Sequence, residues 1–240
     1  MVSAIGGVGK TTIAAALLCD SDVRATYQRL LWVSVGQDPD IRELQDSIHQ
    51  QLLGERIPNH ATTPDLVIKA LRDAAKGLRV LLVLDDVWQA PHEKPLNIIS
   101  SDNASRILVT SRIRGLLGNA NEVDVGVLSE DAALELLISS ADMIGEELTS
   151  DGRRVAMEIV EFCGRLPLTV SICGGIVKEC QAGFSEDVLD SLKDNRGIED
   201  EDGVALEERI ISSSIQMMSK NSKHQELAGE IFKFFAVFPE

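Results

Sequence analysis

Arg79-Val80-Leu81-Leu82-Val83-Leu84, closed by Asp85 and Asp86, is the stretch that most narrows what this chain can fold into. An apolar run with no alternation makes a strand that is greasy on both faces, and such strands belong to parallel sheets covered by helices on each side. The rest of the first half agrees. Arg29-Leu30-Leu31-Trp32-Val33-Ser34-Val35 reads as a strand, Ser105-Arg106-Ile107-Leu108-Val109-Thr110-Ser111-Arg112 as another, and Glu122-Val123-Asp124-Val125 as a shorter edge strand. Between them, Asp38 to Leu53 carries Ile41, Leu44, Ile48 and Leu52 at helical spacing, with Gly54 placed to stop it. Pro64 to Ala75 repeats the pattern with Leu66, Val67 and Leu71. Strands alternating with helices predict an α/β fold.

From Ser129 onward the pattern changes to helices near 130–143, 151–163 and 166–180 with no strand between them, so a helical segment follows the sheet. The acids Glu199-Asp200-Glu201-Asp202 and Glu207-Glu208 lack the alternate spacing of a calcium loop and read as a solvated linker. Lys223 to Phe238 is again helical in pattern and dense in phenylalanine.

Near the amino end stands Gly6-Gly7-Val8-Gly9-Lys10-Thr11-Thr12. Glycines accept positive φ and leave no Cβ in the way, so successive backbone N–H groups can converge on phosphate oxygens. In such a loop Lys10 reaches the β- and γ-phosphates and the Thr11 hydroxyl ligates Mg²⁺. The following Ile13-Ala14-Ala15-Ala16-Leu17-Leu18 is strongly helix-forming, and the positive end of that helix adds to phosphate attraction. The full pattern asks for glycine at position 4, where Ala4 stands, and Met1 to Ala4 is short for a buried strand of about five or six residues. The sequence therefore reads as a fragment or as a chain with a late start.

Composition excludes several alternatives. A net charge of −15 disfavours a nucleic-acid groove, which needs a basic face. No stretch approaches the roughly 18 apolar residues of a membrane span and none resembles a signal peptide, which predicts a cytoplasmic protein. Cys19, Cys163, Cys173 and Cys180 form no C-x-x-C pair and read as buried free thiols, while His49, His60, His92 and His224 read as exposed residues without metal spacing.

Asp85 and Asp86 stand at the carboxyl end of the most apolar strand, where an open α/β sheet presents its ligand crevice. An Asp there can hold Mg²⁺, and a second acid can orient an attacking water. Arg112 likewise closes a strand, with a planar donor fork suited to a γ-phosphate.

Taken in order, Gly6-Gly7-Val8-Gly9-Lys10-Thr11-Thr12, Leu31-Trp32-Val33-Ser34-Val35, Leu82-Val83-Leu84-Asp85-Asp86-Val87-Trp88, Ile107-Leu108-Val109-Thr110-Ser111-Arg112 and Gly164-Arg165-Leu166-Pro167-Leu168 resemble the motifs of the NB-ARC domain. That domain is the nucleotide switch of plant disease-resistance receptors and animal apoptosis-activating proteins. Phe234-Phe235-Ala236-Val237-Phe238-Pro239-Glu240 resembles the motif that opens its winged-helix part. The resemblance covers nearly the whole chain. It implies a P-loop NTPase with a parallel sheet ordered 5-1-4-3-2 over residues 1–128, a helical bundle over 129–195, and the truncated start of a winged helix over 196–240.

It further implies ADP or ATP with Mg²⁺ as ligands. Gly6, Gly7, Val8, Gly9, Lys10, Thr11 and Thr12 would hold the phosphates, and Thr11 and Asp85 the metal. Asp86, or a water it orients, would be the catalytic base, Arg112 the γ-phosphate sensor, and Pro167 the residue packed on adenine. Pro167 also suits the first turn of a helix. Three departures stand out. Ala4 replaces the first loop glycine, Ser213-Ile215-Gln216-Met217 lacks the family's tyrosine, and the chain stops before the Met-His-Asp motif. Missing flanking signalling and sensor-repeat domains are the implied context, with self-association in the ATP state. The leading expectation is a nucleotide-controlled switch. The alternatives are an ATPase, slow because its second acid is the short Asp86, and an interaction module that has lost its nucleotide.

Overall fold

A computed structural model of the chain describes residues 1–3, 6–99, 104–180 and 183–194. Within these, residues 1–3 and 9–125 gather into one compact unit, and 6–8 with 126–194 into a second.

The first unit is an α/β sheet layer. Its elements are β1 (Val2–Ser3), α1 (Lys10–Cys19), α2 (Ser21–Thr26), β2 (Arg29–Gly36), α3 (Ile41–Leu53), α4 (Pro64–Ala74), β3 (Val80–Val87), α5 (Ala90–Glu93), β4 (Arg106–Ser111) and β5 (Val123–Asp124). The strands lie in the order β2-β3-β4-β1-β5, every pair parallel, which is the expected 5-1-4-3-2 read from the other edge. The unbroken apolar run occupies an interior position, as its composition requires: Val80, Leu82, Val83 and Leu84 have no exposed surface. On its flank β2 alternates, burying Leu31, Val33 and Val35, with Leu31 opposite Leu82 in register.

The first strand, described over Val2–Ser3, is not an edge. Val2 and Ser3 pair with Thr110 and Ser111 of β4 on one side and with Val123 and Asp124 of β5 on the other. The acids were expected to end the third strand, and they lie inside it instead, since the ladder continues through Val87.

Helix boundaries follow local chemistry. The Asp40 carboxylate accepts from the N–H groups of Arg42 and Glu43 and so starts α3, and Gly54 ends it at φ 84°, a left-handed conformation that glycine adopts without a Cβ penalty. Thr63 caps α4, with Pro64 in the first turn, where a missing N–H costs nothing. The short α2 was not legible as a helix, although Asp20 caps it through the N–H groups of Asp22 and Val23. His49, expected to be exposed, is buried on α3: the helix face turns it inward and Nδ1 meets the Glu55 carbonyl oxygen at 2.7 Å, which only an N–H donor can satisfy.

The second unit holds α6 (Glu130–Ser140), α7 (Ser150–Phe162), α8 (Pro167–Cys180) and α9 (Glu186–Asp194). Ser129 and Thr149 cap α6 and α7 with their hydroxyls. The core joins Leu137, Ile159, Val160, Val170 and Cys173, all without exposed surface. Cys163 and Cys173 bury their sulfurs 3.4 Å apart, and the hydrogen bond between them, reinforced by burial, pushes the Cys173 thiol far above its usual range. Cys173 therefore stays a neutral thiol. Cys19 differs from the expectation of burial, because the end of α1 that carries it is exposed.

Ala4, the acids at 199–208, the tyrosine-less stretch from Ser213, His224 and the expected winged-helix start at 196–240 lie outside the described residues. Among the described residues no helix is long and apolar enough to cross a membrane.

Two adjacent glycines in α8 give opposite expectations. A Cβ on Gly174 would sit 2.4 Å from the Ser140 Cβ and 2.8 Å from the Leu137 carbonyl oxygen, whereas one on Gly175 meets nothing within 4 Å. Gly174→Ala should cost about 1–3 kcal/mol through overpacking, and Gly175→Ala should add roughly 0.5–1 kcal/mol of stability. Urea denaturation of both variants checks this, and equal midpoints would contradict the packing of α6 on α8.

Candidate nucleotide site

Helix α1 begins directly from the glycine loop. Gly9 is its N-cap at φ 95° and ψ 24°, and Gly7 also has positive φ, at 68°. No side chain caps α1 and its first turn carries no acid. Helices α3, α4, α6 and α7, by contrast, are each capped by an Asp, Ser or Thr and each has an acidic first turn. A helix start that carries neither a side-chain cap nor an acid is the arrangement that favours a bound anion. Lys10 opens the helix and is buried, while Thr11 and Thr12 are exposed.

In its first turn the helix reaches β3. The Thr11 hydroxyl lies 3.0 and 3.1 Å from the two Asp85 carboxylate oxygens. From β4 the Thr110 hydroxyl donates to Asp85 Oδ1 at 2.6 Å, and its own oxygen accepts the Asp86 N–H at 2.9 Å. A single buried hydroxyl therefore serves both acids. Asp86 follows with φ 56°, a left-handed value that costs energy in a residue with a Cβ and that concentrates at functional sites. Its carboxylate accepts from the Trp88 indole N–H at 2.9 Å, and Arg112 Nε stands 4.0 Å from its other oxygen. The Arg112 guanidinium lies over the Trp88 ring, 5.4 Å from its centre.

Thr11, Asp85, Asp86 and Arg112, chosen from sequence as site residues, are thus joined in one network inside the first unit. Gly6, Gly7, Val8 and Pro167 belong to the second unit. There Pro167 is the first residue of α8, and the Leu168 N–H donates to the Gly7 carbonyl oxygen at 3.2 Å.

The donor set can be tested against Mg²⁺. Adjacent ligands of an octahedral ion with bonds of about 2.0–2.1 Å lie roughly 2.9 Å apart, close to the Thr11–Asp85 separation of 3.0 Å. Both are hard oxygen donors, the class this ion prefers. Among the described residues no three His, Cys, Asp or Glu side chains form a metal cage. An ion here would be held by the Asp85 carboxylate and the Thr11 hydroxyl and completed by phosphate oxygens and water.

Residues 1–145 match the NB-ARC domain. The chain belongs to the NB-ARC family. Among similar plant proteins, the disease resistance proteins RGA2 and RGA4 of Solanum bulbocastanum are 29% and 31% identical, each over 72% of this chain. The disease resistance RPP13-like protein 2 of Arabidopsis thaliana is 24% identical over the whole chain. The chain spans 18% of the length of the first two relatives and 28% of the third. Its fold is similar to that of the Walker-type ATPase paby2304 of Pyrococcus abyssi, at a TM-score of 0.51 and 14% identity, over 99% of this chain and 71% of the other. An NB-ARC chain with a P-loop NTPase fold implies nucleotide binding.

Sequence reasoning left Thr110 and Trp88 without a role. Thr110 had a readable signal, a hydroxyl residue two places before the strand-end arginine, but only the β3–β4 register reveals that it faces both acids. Thr110→Val removes the shared hydroxyl and leaves the Asp86 N–H and one Asp85 oxygen short of a partner. It should cost about 1–3 kcal/mol in denaturant titrations, with Thr110→Ser within about 1 kcal/mol of the parent. An unchanged Thr110→Val midpoint would show that the hydroxyl is dispensable.

Proposed function

We propose that the chain is the ADP/ATP-binding switch module of a defence or cell-death signalling protein of the NB-ARC type. The carrying observation is the network in which Thr11, at the open N-terminus of α1, shares the Asp85 carboxylate with Thr110 while Thr110 also holds Asp86. On this reading the N–H groups of the loop from Gly6 to Gly9, together with Lys10, Thr11 and Thr12, bind the phosphates. Thr11 and Asp85 hold Mg²⁺, which when bound neutralises phosphate charge. Arg112 meets the γ-phosphate, and Pro167 packs on adenine, an assignment supported by the family resemblance. The working boundaries are 1–128 for the nucleotide-binding part, 129–195 for the helical bundle and 196–240 for the start of a winged helix.

A ligand shifts a conformational equilibrium only through contacts that differ between the states, and the γ-phosphate is the difference between ADP and ATP. Exchange to ATP then favours self-association of the whole protein. Hydrolysis is slow on this reading. Asp86, the acid expected to orient water, is short and already has one oxygen engaged by the Trp88 N–H, with Arg112 beside the other.

A ligand bound by the native state alone adds about 2.7 kcal/mol of stability at a hundredfold excess over its dissociation constant. Melting with and without saturating Mg-ADP should show a clear upward shift for the parent and little for Lys10→Ala. No shift in the parent would overturn the nucleotide reading and favour an interaction module that has lost its ligand. Steady-state phosphate release that is fast and abolished by Asp86→Asn would replace the switch by a turnover ATPase.

A further inference from the structure

We infer that Trp88 is a positioning residue for triphosphate recognition, holding the Asp86 carboxylate by its indole N–H and the Arg112 guanidinium by its ring face. The inference rests on the nucleotide reading above and adds a residue to it.

Three contacts converge on this side chain or its two partners. The indole N–H donates to Asp86 Oδ2 at 2.9 Å, the guanidinium carbon lies 5.4 Å from the ring centre, and Arg112 Nε is 4.0 Å from Asp86 Oδ1. The acid and the base alone make a loose pair, because 4.0 Å is at the limit of an ion pair and the Arg112 side chain is 52% exposed. Exposed pairs of this kind contribute little and do not fix a long side chain. A guanidinium within about 6 Å of an indole face is attracted by the ring quadrupole, with tryptophan the strongest aromatic partner. Trp88 is therefore the group that narrows the positions of Arg112.

The other end of the arrangement is equally fixed. Asp86 sits at φ 56° with its N–H on the buried Thr110 hydroxyl, so its backbone cannot slide without breaking the bridge to Asp85. Trp88 follows two residues later, just beyond the end of β3, where its ring is half-buried. A path of direct contacts runs from Thr11 through Asp85, Thr110, Asp86 and Trp88 to Arg112. The acid side serves the metal end of the ligand. The arginine end meets only the charge that a third phosphate brings. Loss of the ring then weakens binding of the triphosphate and leaves the diphosphate alone.

The chain has two tryptophans, and Trp32→Phe, which keeps a ring and removes the exposed hydrogen bond to Ser34, leaves Trp88 as the sole tryptophan, excited selectively at about 295 nm. In that background, without ligand, Arg112→Gln and Asp86→Asn should each shift the Trp88 emission; no shift from either overturns the coupling. Calorimetric titration with Mg-ADP and with the Mg complex of adenylyl imidodiphosphate completes the test. Trp88→Leu should weaken the triphosphate analogue roughly two- to fivefold with Mg-ADP unchanged, and Trp88→Phe, which keeps a ring, should recover part of the loss. Equal weakening of both ligands, or of neither, overturns the inference while the nucleotide reading stands. A parent chain that binds neither ligand overturns both.

Discussion

The Asp85 carboxylate, buried at the carboxyl-terminal end of β3, accepts hydroxyl hydrogen bonds from Thr11 on α1 and Thr110 on β4. A carboxylate out of water must be satisfied, and leaving it short of partners costs kilocalories. Meeting that requirement with residues from two neighbouring elements fixes the first turn of α1 against the ends of two central strands. The position of the uncapped helix end, the strained backbone of Asp86 and the placement of Arg112 beside it all follow from this attachment.

The sheet around it supplies the rigidity. Leu82 and Leu84 are fully buried between the neighbours that β2 and β4 provide, and deleting such a side chain from a packed core costs about 2–5 kcal/mol. Register along β3 and β4 is set by the fit of these side chains, because a slip of one residue would carry each of them to the opposite face, which is also buried, and undo its packing. The same register sets Thr110 within reach of both acids. Packing in the core and the geometry of the site are in this sense one constraint, and a loose sheet would not hold hydroxyl and carboxylate at 2.6 Å.

Much of this was legible in the residues. An unbroken apolar strand closed by acids has few places to go, and three of the four described bundle helices emerge from periodicity, whereas the order of the parallel sheet came only with the resemblance to the NB-ARC domain. What remained hidden depends on three-dimensional neighbours. The pairing of Val2 and Ser3 with both β4 and β5 depends on residues more than a hundred positions along the chain. His49 lies on the buried face of α3, where the Glu55 carbonyl oxygen satisfies its ring. The exposed end of α1 carries Cys19 outward although the helix is apolar on every side. Of the site, Asp85, Asp86 and Arg112 were readable from their strand ends, and Thr110 and Trp88 were not, since pairing across strands and stacking on a ring leave no periodic trace.

The Mg²⁺ dependence of nucleotide affinity tests the central claim, that Asp85 is the metal end of a nucleotide site, most directly. ATP binding should be followed calorimetrically with Mg²⁺ and with chelator, in the parent chain and in Asp85→Asn. The account predicts that Mg²⁺ tightens binding to the parent and that Asp85→Asn loses this gain while keeping its metal-free affinity. A variant that retains the full Mg²⁺ effect would contradict it.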